Sequence, residues 1–277
     1  MGLRIATNVQ SLVAQRHLGV NQMAQKDNME HLASGTRINR AADDAAGLAI
    51  SEKMKGQVRS LRQAGRNAND GISMIQTAEG GMNEIGNILI RFRELSMQGA
   101  SDTVGDVERG FIDKEVQQLK QEVTRIATST EFNGRKLLSG EGESLDIQVG
   151  THNNPVEDRF SFDTSKTNVS LDALGLGNIS TATKEDSRNN LEAVDEAVKT
   201  LVSNRAELGS LQNRLQSTIA NIQIYDENLS TAKSRIRDTD VASETAELTK
   251  NNILSQAGVS VLSQANQNNM VALKLIG

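Results

Sequence analysis

A mainly α-helical protein, a long coiled-coil-like helical bundle with one small β-hairpin region, is predicted by three features of this 277-residue sequence. Apolar side chains recur every three or four residues over stretches far longer than an ordinary helix. Proline occurs once, at Pro155, so helices on either side of it can run unbroken. Clear alternation of apolar and polar residues is confined to one short island between the longest helical patterns.

Taken in order, residues 3–32 place Leu3, Ile5, Val9, Leu12, Val13, Leu18, Val20, Met23, Met29 and Leu32 among Gln, Asn and Ser, which are expected to face outward. A second stripe runs from Met54 through Val58, Leu61, Ala68, Ile75, Met82, Ile85 and Phe92 to Leu95. It passes through Asn69-Asp70-Gly71 in phase, so that turn-like triplet is expected inside a helix. Ile112, Val116, Leu119, Val123 and Ile126 form a shorter one. Leu145, Ile147 and Val149 then alternate with Asp146 and Gln148, turn residues follow to Pro155, and Phe160 and Phe162 flank Ser161, which predicts a hairpin near 143–163. The Ser/Thr/Gly/Asn-rich stretch 164–183 reads as a connector. From Leu191 to Ile236 the stripe covers 45 residues in 13 steps, Arg205 being the one charged step. That is a period of about 3.5, as in a coiled coil, and a helix of roughly 70 Å at 1.5 Å per residue. Such a helix needs partners, and the upstream stripes supply them. Residues 254–276 close the chain with Leu254, Ala257, Val261, Ala265, Ala272 and Leu275.

Neither terminal stripe contains Phe, Tyr or Trp, and isolated helices of this kind are marginal in water. Both ends are therefore expected to become ordered on assembly, by pairing with each other and with neighbouring subunits.

Composition excludes several chemistries. With no cysteine there is no disulfide, thiol nucleophile or Cys-type zinc site. A net charge of −5 argues against general nucleic-acid binding. The uncharged run 251–273 is long enough to span a bilayer, but its many Ser, Asn and Gln side chains argue against membrane insertion. No cleavable secretion signal is expected, since Ile5 to Gln15 is interrupted by Thr7, Asn8, Gln10 and Ser11. Phosphate-loop, dinucleotide and nucleophile-elbow motifs are missing, and His17, His31 and His152 lie far apart. Asp43-Asp44 reads as a cap or a subunit contact, because adjacent helical positions do not converge. No catalytic residue, cofactor site or metal site is expected, nor an enzyme. Lys55, Arg59, Arg62 and Arg66 follow i, i+4, i+7, i+11 on one helix face. They read as a solvated face or as a contact with an acidic stripe on another subunit.

Four blocks carry a family resemblance. Ser34-Gly35-Thr36-Arg37-Ile38-Asn39 followed by Ala41 to Ile50 resembles the N-terminal signature of bacterial flagellin. Asn67 to Ser73 with Thr77-Ala78-Glu79-Gly80 is similar to the next block, Glu131-Phe132-Asn133-Gly134 to a third, and Ser260 to Gln267 to the terminal motif. The chain resembles a short flagellin without the variable outer domains. The resemblance implies an extracellular structural subunit that polymerises with itself into a filament for swimming, with helical arms 1–43 and 238–277 paired in the inner layer of the assembled polymer. Residues 44–237 would form a surrounding rod-like layer with the hairpin. It implies assembly positions at Leu3, Val9, Leu12, Arg37, Asn39, Leu254, Val261, Leu262 and Leu275, beside the basic face. It also implies partners: the flagellar type III export apparatus, a chaperone on about 238–277, junction and capping proteins, and a vertebrate Toll-like receptor at Arg91, Leu95 and Glu115. Ile90 and Leu119 depart from the receptor pattern. A hook–filament junction protein, which shares such ends, is the alternative.

Overall fold

The structure, a computed structural model, describes residues 7–274, with side chains through residue 267. The elements run α1 (Val9–Ser34), α2 (Ala45–Gly99), α3 (Asp106–Ser129), β1 (Glu131–Phe132), β2 (Arg135–Lys136), β3 (Leu145–Gln148), β4 (Arg159–Phe162), α4 (Lys184–Arg237) and α5 (Val241–Lys274). They divide into two compact units, Gln57–Glu227 and Met1–Gly56 with Asn228–Gly277, and both α2 and α4 contribute to each. Among the described residues no helix is long and apolar enough to cross a membrane.

In the unit Gln57–Glu227 the predicted stripes become one core. Ile75, Met82, Ile85, Leu89, Phe92 and Leu95 of α2 meet Ile112, Val116 and Val123 of α3 and Val194, Leu201, Leu208 and Leu215 of α4. Ion pairs at the rim trace the antiparallel sense of α2 and α4. Arg62 meets Asp226 at 2.9 Å, Arg93 meets Asp195 at 2.7 Å, and Arg205, the charged step in the α4 stripe, meets Glu79 at 3.5 Å. Exposed pairs of this kind add little energy, so the core carries the unit.

α2 continues through Asn69-Asp70-Gly71 as predicted. A Gly inside a helix is about 1 kcal/mol less favourable than Ala, and here it leaves room for the hairpin. A Cβ on Gly71 would lie 2.7 Å from Ile147 Cδ1. β3 pairs with β4 antiparallel, Leu145 opposite Phe162 and Ile147 opposite Phe160. The alternation turns Ile147 and Phe162 into the core, while Arg214 of α4 covers the Phe160 ring at 4.7 Å. A second, smaller hairpin was not expected. β1 and β2 are joined by Asn133 and Gly134, both left-handed at φ 51° and 76°. Asn-Gly is the pair that a two-residue hairpin turn favours.

The connector is anchored as well as polar. Val169, Leu174, Leu176 and Ile179 are buried, and α3 holds the backbone. Lys120 Nζ donates to the Gly177 carbonyl at 2.7 Å, and Asp113 Oδ1 accepts from the Thr181 N–H at 2.8 Å. The aliphatic residues follow neither a two-residue nor a helical period, so spacing did not reveal them.

Phe92 and Ile90 test the core directly. Phe92→Ala should lower stability by about 3–5 kcal/mol, read as a fall in the urea midpoint of the full chain. The exposed Ile90→Ala should stay within about 0.5 kcal/mol of the parent.

Candidate assembly surface

In the unit formed by Met1–Gly56 with Asn228–Gly277, α1 and α5 pair antiparallel. Asn8 caps α1 through Oδ1, which accepts the Ser11 N–H at 3.1 Å. Gly35 ends the helix in the left-handed region, at φ 69°. Asp240 caps α5, accepting the Ala242 N–H at 2.9 Å.

The facing positions recur at three- and four-residue steps: Ser11, Ala14, Leu18, Asn21, Gln25 and Asn28 on α1, and Leu248, Asn251, Ser255, Gly258, Leu262 and Ala265 on α5. Apart from Leu18, Leu248 and Leu262, this heptad seam is polar or small where a coiled coil is ordinarily apolar. Hydrogen bonds cross it along its length. Asn8 Nδ2 donates to the Ala265 carbonyl at 2.9 Å, Asn21 Nδ2 to the Asn251 carbonyl at 2.7 Å, and Asn251 Nδ2 to Asn28 Oδ1 at 3.2 Å. Gln25 meets Asn252, and His31 Nδ1 lies 3.1 Å from Glu244 Oε1.

The sequence suggested the opposite orientation, apolar residues in and Gln, Asn and Ser out. Instead Ser11, Asn28 and Asn251 are buried, while Val9, Leu12, Leu254 and Val261 stay 58%, 56%, 50% and 58% exposed. Val20, Met23, Met29, Ile253 and Val259 are exposed too. The apolar residues lie off the line of closest approach, over more of the circumference than one partner helix can cover. Val9, Val13, Leu254 and Val261 line one groove of about 880 Å³ between the two helices. Leu262 is part of the seam and half-buried. Leu3 and Leu275, the other expected assembly positions, lie outside the described residues. An exposed apolar surface of this extent marks an interaction site.

Arg37 and Asn39, expected at subunit contacts, are engaged within the chain. The turn after α1 pairs with the turn before α5 through a Thr36–Asp238 bridge and the Thr239 N–H on the Gly35 carbonyl at 3.1 Å. The Arg37 N–H donates to the Arg237 carbonyl at 2.7 Å and its Nη2 to the Ile236 carbonyl at 3.0 Å. Asn39 Nδ2 donates to Glu30 at 2.8 Å, and Arg40 pairs with the same carboxylate. Of the Asp43-Asp44 pair, Asp43 accepts the N–H groups of Asn39 and Arg40 at 3.0 and 2.8 Å. Asp44 caps α2 through the Gly47 N–H at 2.8 Å. The Arg40 hydrogen bond holds the Glu30 carboxyl below its usual range, and the two backbone N–H groups do the same for Asp43.

The basic face is partly consumed within the chain. Lys55 pairs with Glu52 at 3.1 Å, Arg62 with Asp226 at 2.9 Å, and Arg66 Nε donates to Gln63 at 3.1 Å. Arg59 is exposed. At the position expected to meet a receptor, Arg91 Nε donates to Glu115 at 2.9 Å across α2 and α3, and both residues are exposed. Leu95 corrects the expectation: at 1% exposure its side chain packs in the core and has no surface to offer. Among the described residues no cluster of His, Asp or Glu is arranged to hold a metal ion.

Comparison with known proteins finds relatives along most of the chain. The bacterial flagellin N-terminal helical region matches residues 5–143 and the C-terminal helical region residues 191–276. The flagellin of Halalkalibacterium halodurans is 42% identical over 97% of this chain and 98% of its own length. That of Bacillus subtilis is 42% identical over 99% of this chain and its full length. The crystal structure of Bacillus cereus flagellin is 28% identical and covers 57% of this chain and 88% of that one, with a TM-score of 0.51.

Glu30 and Asp43 make the junction of the turns pH-sensitive. Both carboxyls are lowered in the folded state, so their contribution is present above the ordinary carboxylate range and is lost as pH falls through the folded values. Amide exchange at Asn39 and Arg40 should lose protection on that acid side, beyond the change in intrinsic exchange rate, and Asp43→Asn should remove much of the dependence.

Proposed function

Because this chain belongs to the bacterial flagellin family, whose members are structural subunits of the extracellular flagellar filament, we propose that its two terminal arms drive polymerisation through their uncovered apolar flanks. The observation that carries this is the inverted seam: α1 and α5 hold each other by Asn, Gln and small residues while Val9, Leu12, Leu254 and Val261 remain half exposed. Within one chain those four are not covered by each other, so the surface that covers them is a neighbouring copy. Burial at about 25 cal/mol per Å² of apolar surface, repeated around the lattice, makes a stiff tube from individually weak helices. Contacts between unlike faces do not close on themselves, and so generate a helical filament.

Arms 1–43 and 238–277 form the inner layer on this reading, and residues 44–237 the surrounding one. Export through the flagellar type III apparatus, without a cleavable signal, delivers the arms unpaired. A chaperone holds about 238–277 until then, and junction and capping proteins bound the polymer. Arg91 and Glu115 are offered to a Toll-like receptor, with Leu95 acting by packing. A reporter assay in which pure monomer is inactive, or in which Arg91→Ala has no effect, would remove that contact.

Seeded polymerisation compares the full chain with one lacking residues 238–277. Sedimenting filaments from the first and none from the second are expected. Filaments from the shortened chain would show that the C-terminal arm is dispensable, and the proposal would fall.

A further inference from the structure

A seam whose heptad positions are mostly small or polar, with leucine only at Leu18, Leu248 and Leu262, discriminates less sharply between alignments than an apolar one. The Thr36–Asp238 bridge ties the near ends of the two helices, and two side chains set the register along them. Asn28 and Asn251 are each 9% exposed, and Asn251 Nδ2 donates to Asn28 Oδ1 at 3.2 Å. Seven residues from Asn251 in one direction stands Gly258, level with Leu18. Seven in the other stands Glu244, level with His31. A slip that carries Gly258 to Asn28 leaves that amide opposite a residue with no side chain. The opposite slip carries Asn251 to Asn21 and Glu244 to Asn28, so it still offers both amides hydrogen-bonding groups. The slip toward Gly258 therefore takes from Asn28 its amide partner, and a buried unsatisfied amide is strongly disfavoured.

We propose that the Asn28–Asn251 pair is the register key of the terminal arms. It selects the alignment in which α1 and α5 present Val9 and Val13 beside Leu254 and Val261 as one groove, and it rejects the pairing slipped by a heptad toward Gly258. The two asparagines are positioning residues: they touch each other, and through the register they place the surface that neighbours use. The inference rests on the arm-pairing reading of the filament given above.

The absence of cysteine makes register readable by disulfide trapping in full-length chains polymerised on seeds. Leu18→Cys with Gly258→Cys reports the native alignment, and Leu18→Cys with Ala265→Cys the alignment slipped by seven residues. Non-reducing electrophoresis separates intrachain from interchain products. With both asparagines present, the native pair should cross-link within the chain and the slipped pair should not. In the Asn28→Leu, Asn251→Leu background the ratio of native to slipped product should fall by about tenfold or more. The same reporters are read with Asn28→Ala and Asn251→Ala, which add no bulk, so that failure of one background to polymerise leaves the other decisive. Retention of the native ratio without the asparagines overturns the register key and leaves arm pairing intact. Absence of any native cross-link in the parent chain overturns arm pairing itself.

Discussion

The hydrogen-bonded seam between α1 and α5 is the constraint on which the rest of this molecule depends. An antiparallel helix pair in water ordinarily closes over its apolar residues and is finished. Here the line of closest approach carries Asn8, Ser11, Asn21, Gln25 and Asn28 against Asn251, Asn252, Gly258 and Ala265, with leucine only at Leu18, Leu248 and Leu262. Each net hydrogen bond contributes only about 1 kcal/mol. Such a seam sets geometry without much driving force, and it leaves aliphatic surface exposed on both helices. On the proposed reading the pair is one layer of a larger packing, and its weakness alone suits a chain exported before it assembles.

The unit Gln57–Glu227 obeys the opposite rule. Its aliphatic stripe is turned inward on α2, α3 and α4, and its hairpins and connector are pinned by buried aliphatics and by Lys120 and Asp113 on α3. Charges at its rim are paired with each other, Arg91 with Glu115 and Arg93 with Asp195. One chain thus carries a unit with a buried aliphatic core and a pair of arms held by a largely polar seam. That division is the physical content of a building block: a part that keeps its form and a part whose free energy is realised on contact with copies of itself.

How much of this was legible in the sequence follows from what the residues encode locally. The long stripes of α2 and α4 were legible because one side of each is buried along most of its length, and the β3–β4 alternation because only one face of that hairpin packs. The Asn133-Gly134 turn was legible in principle, since that dipeptide favours left-handed backbone, but strands of two residues leave no alternation to notice. The orientation of the arms was not legible from hydropathy. Tracing Val9, Leu12, Leu254 and Val261 follows the faces that remain open, while the intrachain contact is written in the heptad spacing of Asn21, Gln25, Asn28, Asn251, Ser255 and Gly258. A search for recurring small and amide residues would have found it. The role of Arg37 depends on a turn distant in sequence, which no local pattern reports, whereas the capping by Asp44 is local and was among the readings of the Asp43-Asp44 pair.

The central claim is that the flanks of the arm pair, and not its seam, are what polymerisation covers. A single cysteine in place of Leu254, in an otherwise cysteine-free chain, tests it by thiol-labelling rate in monomer and in sedimented filament. The account predicts rapid labelling in the monomer and strong protection in the filament. Equal rates in the two states would show that the groove stays open after assembly, and would contradict it.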